Sequence, residues 1–233
     1  MKAFLLAAGL GTRLAPLTET VPKPMVLVAG LPVLEHTVAR LAAHGVRDMI
    51  VNVHHRGTTI SNHFGGGERW GIRIRYSVEE ELRGTAGALV PWQSFFDSTF
   101  LVVYGDNLTT CDLEAMRDFH RRHDALMTMA LFWRDDVSQS GIAVLDHNDR
   151  IHRFVEKPAP LDRVSHWVNA GVILLEPEII AQIPGDRPVD FGRDLLPRWV
   201  DTMPIFGYRM SSSERLWWID TPDDLARVDR EHR

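Results

Sequence analysis

Short runs of consecutive apolar residues, each followed by glycine or polar residues, constrain the fold of this chain most strongly. The first run covers residues 2–7 and is broken by Gly9 and Gly11. Similar runs cover 49–53 and 100–104. A run without polar alternation predicts a strand buried on both faces, which is typical of a parallel sheet. We therefore expect ligand-binding loops at the carboxyl ends of these strands.

Segments with helical periodicity separate the predicted strands. Apolar residues recur at helical spacing over 34–44, where Gly45 ends the helix, and Thr221 and Pro222 begin the last helix as N-cap and first residue. The other predicted helices cover 58–64, 85–96, 112–123, 177–183 and 191–202. The other predicted strands cover 72–77, 126–133, 141–145, 151–156, 168–175 and 205–210, the third and fourth forming a hairpin. This βαβ alternation predicts an α/β fold of three layers, Rossmann-like, with a mixed, mostly parallel sheet.

Composition sets limits on the class of protein. A length of 233 residues with 45% apolar content predicts one substantial core in a single domain. The formal net charge of -5 shows no basic excess for a nucleic-acid partner, so any phosphate site must be built locally. The single cysteine, Cys111, fits a cytoplasmic protein, and no apolar run is long enough to cross a membrane. Among the eleven histidines, His120 and His123 are expected to be solvated or to cap a helix.

The loop after the first strand combines small residues with cations. Gly9 and Gly11 would let backbone N–H groups approach an anion, Thr12 adds a hydroxyl, and the Arg13 guanidinium suits phosphate oxygens. The loop is not a Walker A motif, and Leu14 stands where a dinucleotide fingerprint needs its third glycine. We interpret it as a triphosphate loop of another kind.

Asp106 follows the apolar run 100–104, so its carboxylate should lie at the carboxyl edge of the sheet. A carboxylate at this position suits Mg²⁺, which takes a few carboxylates together with phosphate oxygens and water. A second carboxylate from elsewhere in the chain is then expected, and a resemblance to a known family supplies Asp220 as the candidate. The alternatives are that Asp106 caps a turn and that Asp220 stabilises the start of the last helix.

At Gly9–Thr18 and Pro22–Lys23–Pro24 the chain resembles the sugar-1-phosphate nucleotidyltransferase family. That family includes mannose-1-phosphate and D-glycero-D-manno-heptose-1-phosphate guanylyltransferases as well as glucose-1-phosphate thymidylyltransferases. The resemblance continues through five further motifs in the family's order: 84–89, 105–107, 156–158, 169–171 and 218–221. It implies one nucleotidyltransferase domain over 1–233, with a nucleotide-binding half (about 1–110), a sugar-binding half (about 111–233) and no C-terminal β-helix.

The resemblance also implies the roles of individual residues. The predicted catalytic residues are Arg13, Lys23 and Asp106, and the predicted Mg²⁺ ligands are Asp106 and Asp220. The predicted nucleotide-binding residues are Ala7, Ala8, Gly9, Gly11, Thr12, Arg13, Glu79, Gly84, Thr85 and Ala86. The predicted residues for the sugar phosphate are Asn107, Gly141, Glu156, Lys157, Asn169 and Gly171.

Two of these assignments leave an alternative open. Asn169 and Gly171 could form a simple turn rather than contact sugar hydroxyls. Glu79 could accept hydrogen bonds from guanine, or it could belong to a solvated acidic run with Glu80 and Glu81. Guanine is therefore the favoured base of the triphosphate.

The expected activity is transfer of a nucleoside monophosphate from a triphosphate, GTP favoured, to a mannose- or heptose-type sugar 1-phosphate. Uridylyl, thymidylyl or cytidylyl transfer to another sugar is the alternative of the same class. A non-catalytic regulatory paralogue that binds sugar nucleotides is the alternative of another class, and a nicotinamide dehydrogenase ranks last because the third glycine is missing. The expected partners are the two substrates, without nucleic acid or membrane, and a homo-oligomer remains open.

Overall fold

The computed structural model describes all residues, 1–233. The chain divides into two compact units. Unit 1 consists of Met1–Leu82, Val103–Leu108 and Trp217–Arg233, and unit 2 consists of Arg83–Val102 and Thr109–Leu216. Each unit is thus built from segments that are distant in sequence. A single domain with halves meeting near residue 110 stays a prediction.

Strands and helices alternate through the first half of the chain. The strands are β1 (Lys2–Leu6), β2 (Leu27–Val28), β3 (Leu31–Pro32), β4 (Asp48–Val53), β5 (Arg73–Val78), β6 (Phe100–Tyr104), β7 (Asn107–Thr109), β8 (Met127–Trp133), β9 (Gly141–Leu145), β10 (Ile151–Glu156), β11 (Trp167–Leu175), β12 (Ile205–Arg209) and β13 (Leu216–Trp218). The α-helices are α1 (Leu17–Thr20), α2 (Val33–Ala43), α3 (Gly57–Phe64), α4 (Gly84–Gly87), α5 (Leu113–Arg122), α6 (Leu196–Thr202) and α7 (Pro222–Glu231). The predicted α/β class with a mixed, mostly parallel central sheet is confirmed.

Unit 1 contains the parallel part of the sheet. Its strand order is β1–β4–β5, with β4 parallel to both β1 and β5. The middle of β1 is fully buried, as the unbroken apolar run predicts. Leu6 pairs with Asn52, and Asn52 pairs with Ser77, so these three residues lie in one row near the carboxyl ends of their strands.

Unit 2 contains the antiparallel part. Its strand order is β10–β9–β11, while β8 pairs with β11 and β12 lies parallel to β8. The predicted hairpin of β9 and β10 is confirmed. Its turn is held by the Asp146 carboxylate, which accepts the backbone N–H groups of Asn148 and Arg150 at 2.8 and 3.0 Å.

The predicted helix over 85–96 was wrong. The chain forms only the short α4 and then a 3₁₀ segment, Val90–Phe95. Pro91 explains the break, because proline lacks the N–H group that an α-helix needs and its ring clashes with the preceding turn. The predicted helices over 177–183 and 191–202 are also less regular, since the first is a 3₁₀ segment and the second begins with a π-helical turn, Phe191–Leu195.

The expectation that His120 is solvated or caps a helix was also wrong. Its side chain is buried, with Nδ1 2.8 Å from Thr128 Oγ1 and Nε2 3.1 Å from Glu176 Oε1. Burial lowers the pKa of His120 because it disfavours the charged ring, although Glu176 partly opposes this effect. His120 is therefore a core residue of unit 2.

The last helix begins as predicted. Thr221 Oγ1 accepts the backbone N–H of Asp224, and the Asp224 carboxylate accepts that of Thr221, which completes a capping box. Val228 of α7 then packs with Ile219 and Leu14 in a buried cluster of unit 1. None of the helices combines the length and apolar character that a membrane crossing needs.

Candidate active site

The loop after β1 requires a glycine at position 11. Gly11 has φ +62°, a conformation that side chains disfavour, and a Cβ atom there would lie 2.7 Å from Lys23 Cβ. Thr18 Oγ1 donates to the Gly11 carbonyl at 3.0 Å. This close approach brings the Lys23 side chain against the loop that carries Thr12 and Arg13.

Four charged residues of unit 1 meet beside this loop. Lys23 Nζ lies 2.7 Å from Asp106 Oδ2 and 2.8 Å from Asp220 Oδ1. Arg13 Nη2 lies 3.1 Å from the same Asp220 oxygen. The Lys23 side chain is only 8% exposed, whereas Arg13 is half exposed. The three predicted catalytic residues and the second predicted metal ligand thus form one cluster.

Asp106 lies just after the end of β6, and Asp220 lies just before the start of α7. Asp106 comes directly after β6, where the Gly105 N–H donates to the Leu6 carbonyl at 2.9 Å. A Cβ atom on Gly105 would lie 2.9 Å from Leu34 Cδ1, so the bare backbone lets the chain turn against α2. Asp220 precedes α7, and its own N–H lies 3.3 Å from the Asp224 carboxylate. Asp220 therefore enters the cluster from the N-terminal end of α7.

The two carboxylates keep the Lys23 ammonium charged. Burial lowers the pKa of Lys23, but Asp106 and Asp220 raise it by charge attraction and hydrogen bonding, and their combined effect prevails. The pKa of Lys23 therefore lies above its ordinary value. Lys23 carries its positive charge throughout the neutral range.

The donor set of this cluster fits Mg²⁺. Asp106 and Asp220 offer hard oxygen ligands that converge within hydrogen-bonding distance of one atom, Lys23 Nζ. No group of three or more acidic, histidine or cysteine side chains forms a complete metal site. Two carboxylates are what Mg²⁺ takes from a protein when substrate phosphates and water supply its other ligands.

A buried amide lies at the base of the loop. Asn52 Oδ1 accepts the backbone N–H groups of Ala7 and Ala8 at 2.6 and 3.2 Å, and its Nδ2 donates to Glu79 Oε1 at 2.8 Å. Glu79 is 3% exposed, so the alternative of a solvated acidic run is wrong for this residue; Glu80 and Glu81 are exposed. Ala7, Ala8 and Glu79 are thus connected through a residue that sequence analysis did not select.

In unit 2, the segment Gly84–Ala86 is held by backbone contacts. The N–H of Ala86 donates to the Val189 carbonyl at 3.0 Å, and Gly84 has φ +78° in a position where a Cβ atom would overlap that carbonyl. Thr85 Oγ1 donates to Asp190 Oδ2 at 2.9 Å. These contacts make the three predicted residues a rigid part of unit 2.

Glu156 lies over two glycines of unit 2. A Cβ atom on Gly141 would lie 2.6 Å from Glu156 Oε2, and one on Gly192 would lie 2.5 Å from it. Burial raises the pKa of Glu156, the nearby Asp190 raises it further, and Lys157 and Arg193 only partly oppose this. A side chain at position 141 or 192 would therefore overlap the Glu156 carboxylate, so both positions require glycine.

The remaining predicted residues have simpler surroundings. Lys157 is exposed and has φ +49°. Asn169 Oδ1 accepts the N–H of Gly171 at 2.9 Å, and both residues lie inside β11 where its register with β8 shifts. Asn107 Oδ1 is buried in unit 1 and has no hydrogen-bond partner. Binding of a sugar phosphate by these residues stays a prediction.

The sequence profile of the nucleotidyl transferase family matches residues 2–230. The chain belongs to the nucleotidyl transferase family. The family resemblance of the motifs is thereby confirmed. A Bacillus anthracis protein assigned as a glucose-1-phosphate thymidylyltransferase shares the fold of this chain, with a TM-score of 0.88 at 23% identity over 100% of this chain and 95% of that one.

Relatives of this chain differ in the base they use. A UTP–glucose-1-phosphate uridylyltransferase from Synechocystis sp. is 37% identical over 94% of this chain and 60% of its own length. A mannose-1-phosphate guanylyltransferase from Mycobacterium tuberculosis is 35% identical over 97% of this chain and 62% of its own length. This chain thus spans about three fifths of these relatives. HddC from Yersinia pseudotuberculosis, solved with GMP-PN, has a TM-score of 0.81 at 26% identity over 100% of this chain and 99% of its own.

Three residues that contact the predicted ones were not predicted from the sequence: Asn52, Asp190 and Gly192. Asn52 is a single amide in an otherwise apolar strand, where asparagine is disfavoured, and that exception was a usable signal. Asp190 and Gly192 lie near the start of a helical segment, and Asp190 is its N-cap, accepting the N–H of Gly192 at 3.0 Å. Nothing in their local pattern pointed to Thr85 or Glu156.

We expect Glu156→Gln to stabilise the protein at neutral pH. Because the pKa of Glu156 is raised in the folded state, the protonated carboxyl stabilises the folded state at a pH below the unfolded pKa. This contribution is lost as the pH rises through the folded pKa, where the carboxyl must ionise in its buried position. Glutamine does not ionise, so the variant should melt at a higher temperature than wild type at pH 7.5, and the difference should shrink toward pH 4.5. Thermal unfolding at the two pH values measures this, with exposed Glu178→Gln as control. An equal difference at both values would contradict it.

Proposed function

We propose that this chain transfers a nucleoside monophosphate from a nucleoside triphosphate to a sugar 1-phosphate and releases pyrophosphate. The observation that carries the proposal is the cluster in unit 1, where Lys23 lies between Asp106 and Asp220 beside Arg13. The favoured substrates are GTP and a mannose- or D-glycero-D-manno-heptose-type 1-phosphate.

The proposed reaction is a single in-line displacement. An oxygen of the sugar 1-phosphate attacks the α-phosphorus, the bond to the β-phosphate oxygen breaks, and its electron pair leaves with pyrophosphate. The second pKa of a phosphate monoester is about 6, so the attacking oxygen is already ionised at neutral pH. The reaction therefore needs no general base and no covalent intermediate, only positioning and charge stabilisation.

The residues of unit 1 suit the triphosphate. The half-exposed Arg13 would bind phosphate oxygens through its planar guanidinium. The buried ammonium of Lys23 would offset the negative charge that grows on the reacting phosphoryl group. Asp106 and Asp220 would hold Mg²⁺, which supplies Lewis-acid stabilisation of phosphate charge when bound.

The residues of unit 2 suit the sugar phosphate. The exposed Lys157 would pair with the phosphate, and the Glu156 carboxylate would accept hydrogen bonds from sugar hydroxyls. Gly141 and Gly192 leave room for that carboxylate. Asn169 and Gly171 would add a polar side chain and bare backbone to the same subsite.

Glu79 supports GTP as the triphosphate. Its buried carboxylate is a hydrogen-bond acceptor, and guanine offers two adjacent donors, N1–H and the amino group. HddC holds GMP-PN, and a guanylyltransferase is among the relatives. The uridylyltransferase relative makes UTP the main competitor.

The test is a matrix of substrates with pyrophosphate release as the readout. GTP, dTTP, UTP, CTP and ATP are each combined with mannose-, heptose-, glucose- and N-acetylhexosamine 1-phosphates in the presence of Mg²⁺. We expect release to require one triphosphate and one sugar phosphate, with GTP giving the highest kcat/KM. Release with UTP and a sugar 1-phosphate, but with no other triphosphate, would overturn the assignment of guanine as the base. No release from any pair by folded protein that binds a sugar nucleotide would replace the proposal by a regulatory role.

A further inference from the structure

One side chain, Asn52, joins three parts of unit 1 that are far apart in sequence. Its carbonyl oxygen accepts the N–H groups of Ala7 and Ala8, and its amino group donates to Glu79 Oε1. Both ends of the carboxamide are thus used. Asn52 and Glu79 are each 3% exposed, so water does not compete for these hydrogen bonds.

The position of Asn52 follows from where β1 ends. Leu6 is the last residue of β1 and the register partner of Asn52 on β4. Beyond Leu6 the chain leaves the strand ladder, yet Ala7 and Ala8 are still buried. Buried N–H groups without an acceptor destabilise a protein, and the Asn52 oxygen supplies the acceptor that the strand no longer provides.

Glu79 is itself held in place. Its N–H donates to the Val53 carbonyl at 2.8 Å, and its carbonyl accepts from His54 Nδ1 at 2.7 Å. The backbone of Glu79 is therefore fixed to the residues that follow Asn52. The Glu79 carboxylate therefore holds the Asn52 side chain in a fixed orientation, and Asn52 in turn holds the loop after β1.

We propose that Asn52 is a positioning residue for the nucleotide: it sets the direction in which the triphosphate loop leaves β1 and ties that loop to Glu79. The inference rests on the proposed function, because it assigns the loop to a triphosphate and Glu79 to a base. Asn52 touches neither substrate in this role. It acts through the backbone of Ala7 and Ala8 and through the Glu79 carboxylate.

The polarity of the carboxamide makes the role testable. Asn52→Asp would keep the acceptor for Ala7 and Ala8 but would place a carboxylate oxygen where Nδ2 now donates to Glu79. Two carboxylates at that distance repel unless one is protonated. The exchange variant Asn52→Asp with Glu79→Gln would restore the hydrogen bond with its direction reversed, because glutamine can donate to aspartate.

The experiment compares wild type, N52D, the exchange variant and E79Q. The first readout is the inhibition constant of inorganic tripolyphosphate against the triphosphate substrate, which reports on the loop without a base. The second readout is KM for the triphosphate separately from kcat. Glu35→Gln serves as the matched control, since Glu35 is equally buried in unit 1 and pairs instead with His63 and Arg69.

We expect N52D to raise the tripolyphosphate inhibition constant and the triphosphate KM by at least about tenfold, as the loss of a buried hydrogen bond implies, with less than about threefold change in kcat. The exchange variant should return the inhibition constant to within about threefold of wild type. E79Q alone should leave it unchanged and alter the ranking of triphosphates, because a glutamine oxygen still accepts from Asn52. E35Q should lower the melting temperature only.

Two results would overturn the inference: an unchanged inhibition constant in N52D, or a folded exchange variant that does not recover. If N52D does not fold, Asn52→Ser replaces it under the same criteria, since a serine hydroxyl cannot bridge to Glu79. Wild-type protein that neither releases pyrophosphate nor binds tripolyphosphate would instead reject the proposed function. The two failures are therefore distinguishable.

Discussion

Asp106→Asn should lower kcat for pyrophosphate release on the order of 10³-fold, the effect expected when a group that stabilises transition-state charge is lost. Asparagine has nearly the same shape as aspartate, so the turn after β6 should be preserved. The charge that pairs with Lys23 at 2.7 Å disappears, and with it one of the two proposed Mg²⁺ ligands. Steady-state kinetics with saturating substrates measures the loss, and circular dichroism verifies the fold.

Asp223→Asn is the control for this experiment. Asp223 is exposed in the first turn of α7, three residues after Asp220, and makes no contact with Lys23. Its replacement removes the same charge from the same unit and should change kcat less than about twofold, because exposed charges contribute little. A variant of Asp106 with wild-type kcat would remove that residue from the proposed machinery.

Lys23→Met should abolish activity to a similar degree and also destabilise the fold. Without the ammonium, Asp106 and Asp220 face each other with nothing positive between them except the more exposed Arg13. The expected loss in the free energy of unfolding lies between the ~1 kcal/mol of an exposed ion pair and the ~3–5 kcal/mol of a buried one. Chemical denaturation measures it.

Mg²⁺ should stabilise Lys23→Met more than it stabilises wild type. In the variant, the two carboxylates are left as a site for a divalent cation, and a ligand that binds only the folded state raises its stability. Melting temperatures with and without Mg²⁺ compare the two proteins. Adding Asp106→Asn to the variant should remove the gain, and an equal gain in all three proteins would contradict the assignment of Asp106 and Asp220 to the metal.

Local pattern was enough to predict most elements of the fold. The apolar runs of β1, β4 and β6, the hairpin of β9 and β10 and the capping box at Thr221 depend on neighbouring residues, so sequence periodicity and turn chemistry reveal them. The same holds for Gly11, whose positive φ fits a glycine in the loop after a buried strand, whereas the phosphate role of that loop stays a prediction. The predicted helix over 85–96 was wrong because Pro91 interrupts it.

The contacts of the candidate site depended on tertiary structure. Lys23 meets carboxylates 83 and 197 residues away, and the motif resemblance, not spacing, had paired Asp106 with Asp220. Burial of Glu79 and His120 likewise results from packing between distant segments, which no local pattern encodes. Asn52 shows the reason most clearly: its role arises because β1 ends beside it in the sheet, and only folding brings those amides within its reach.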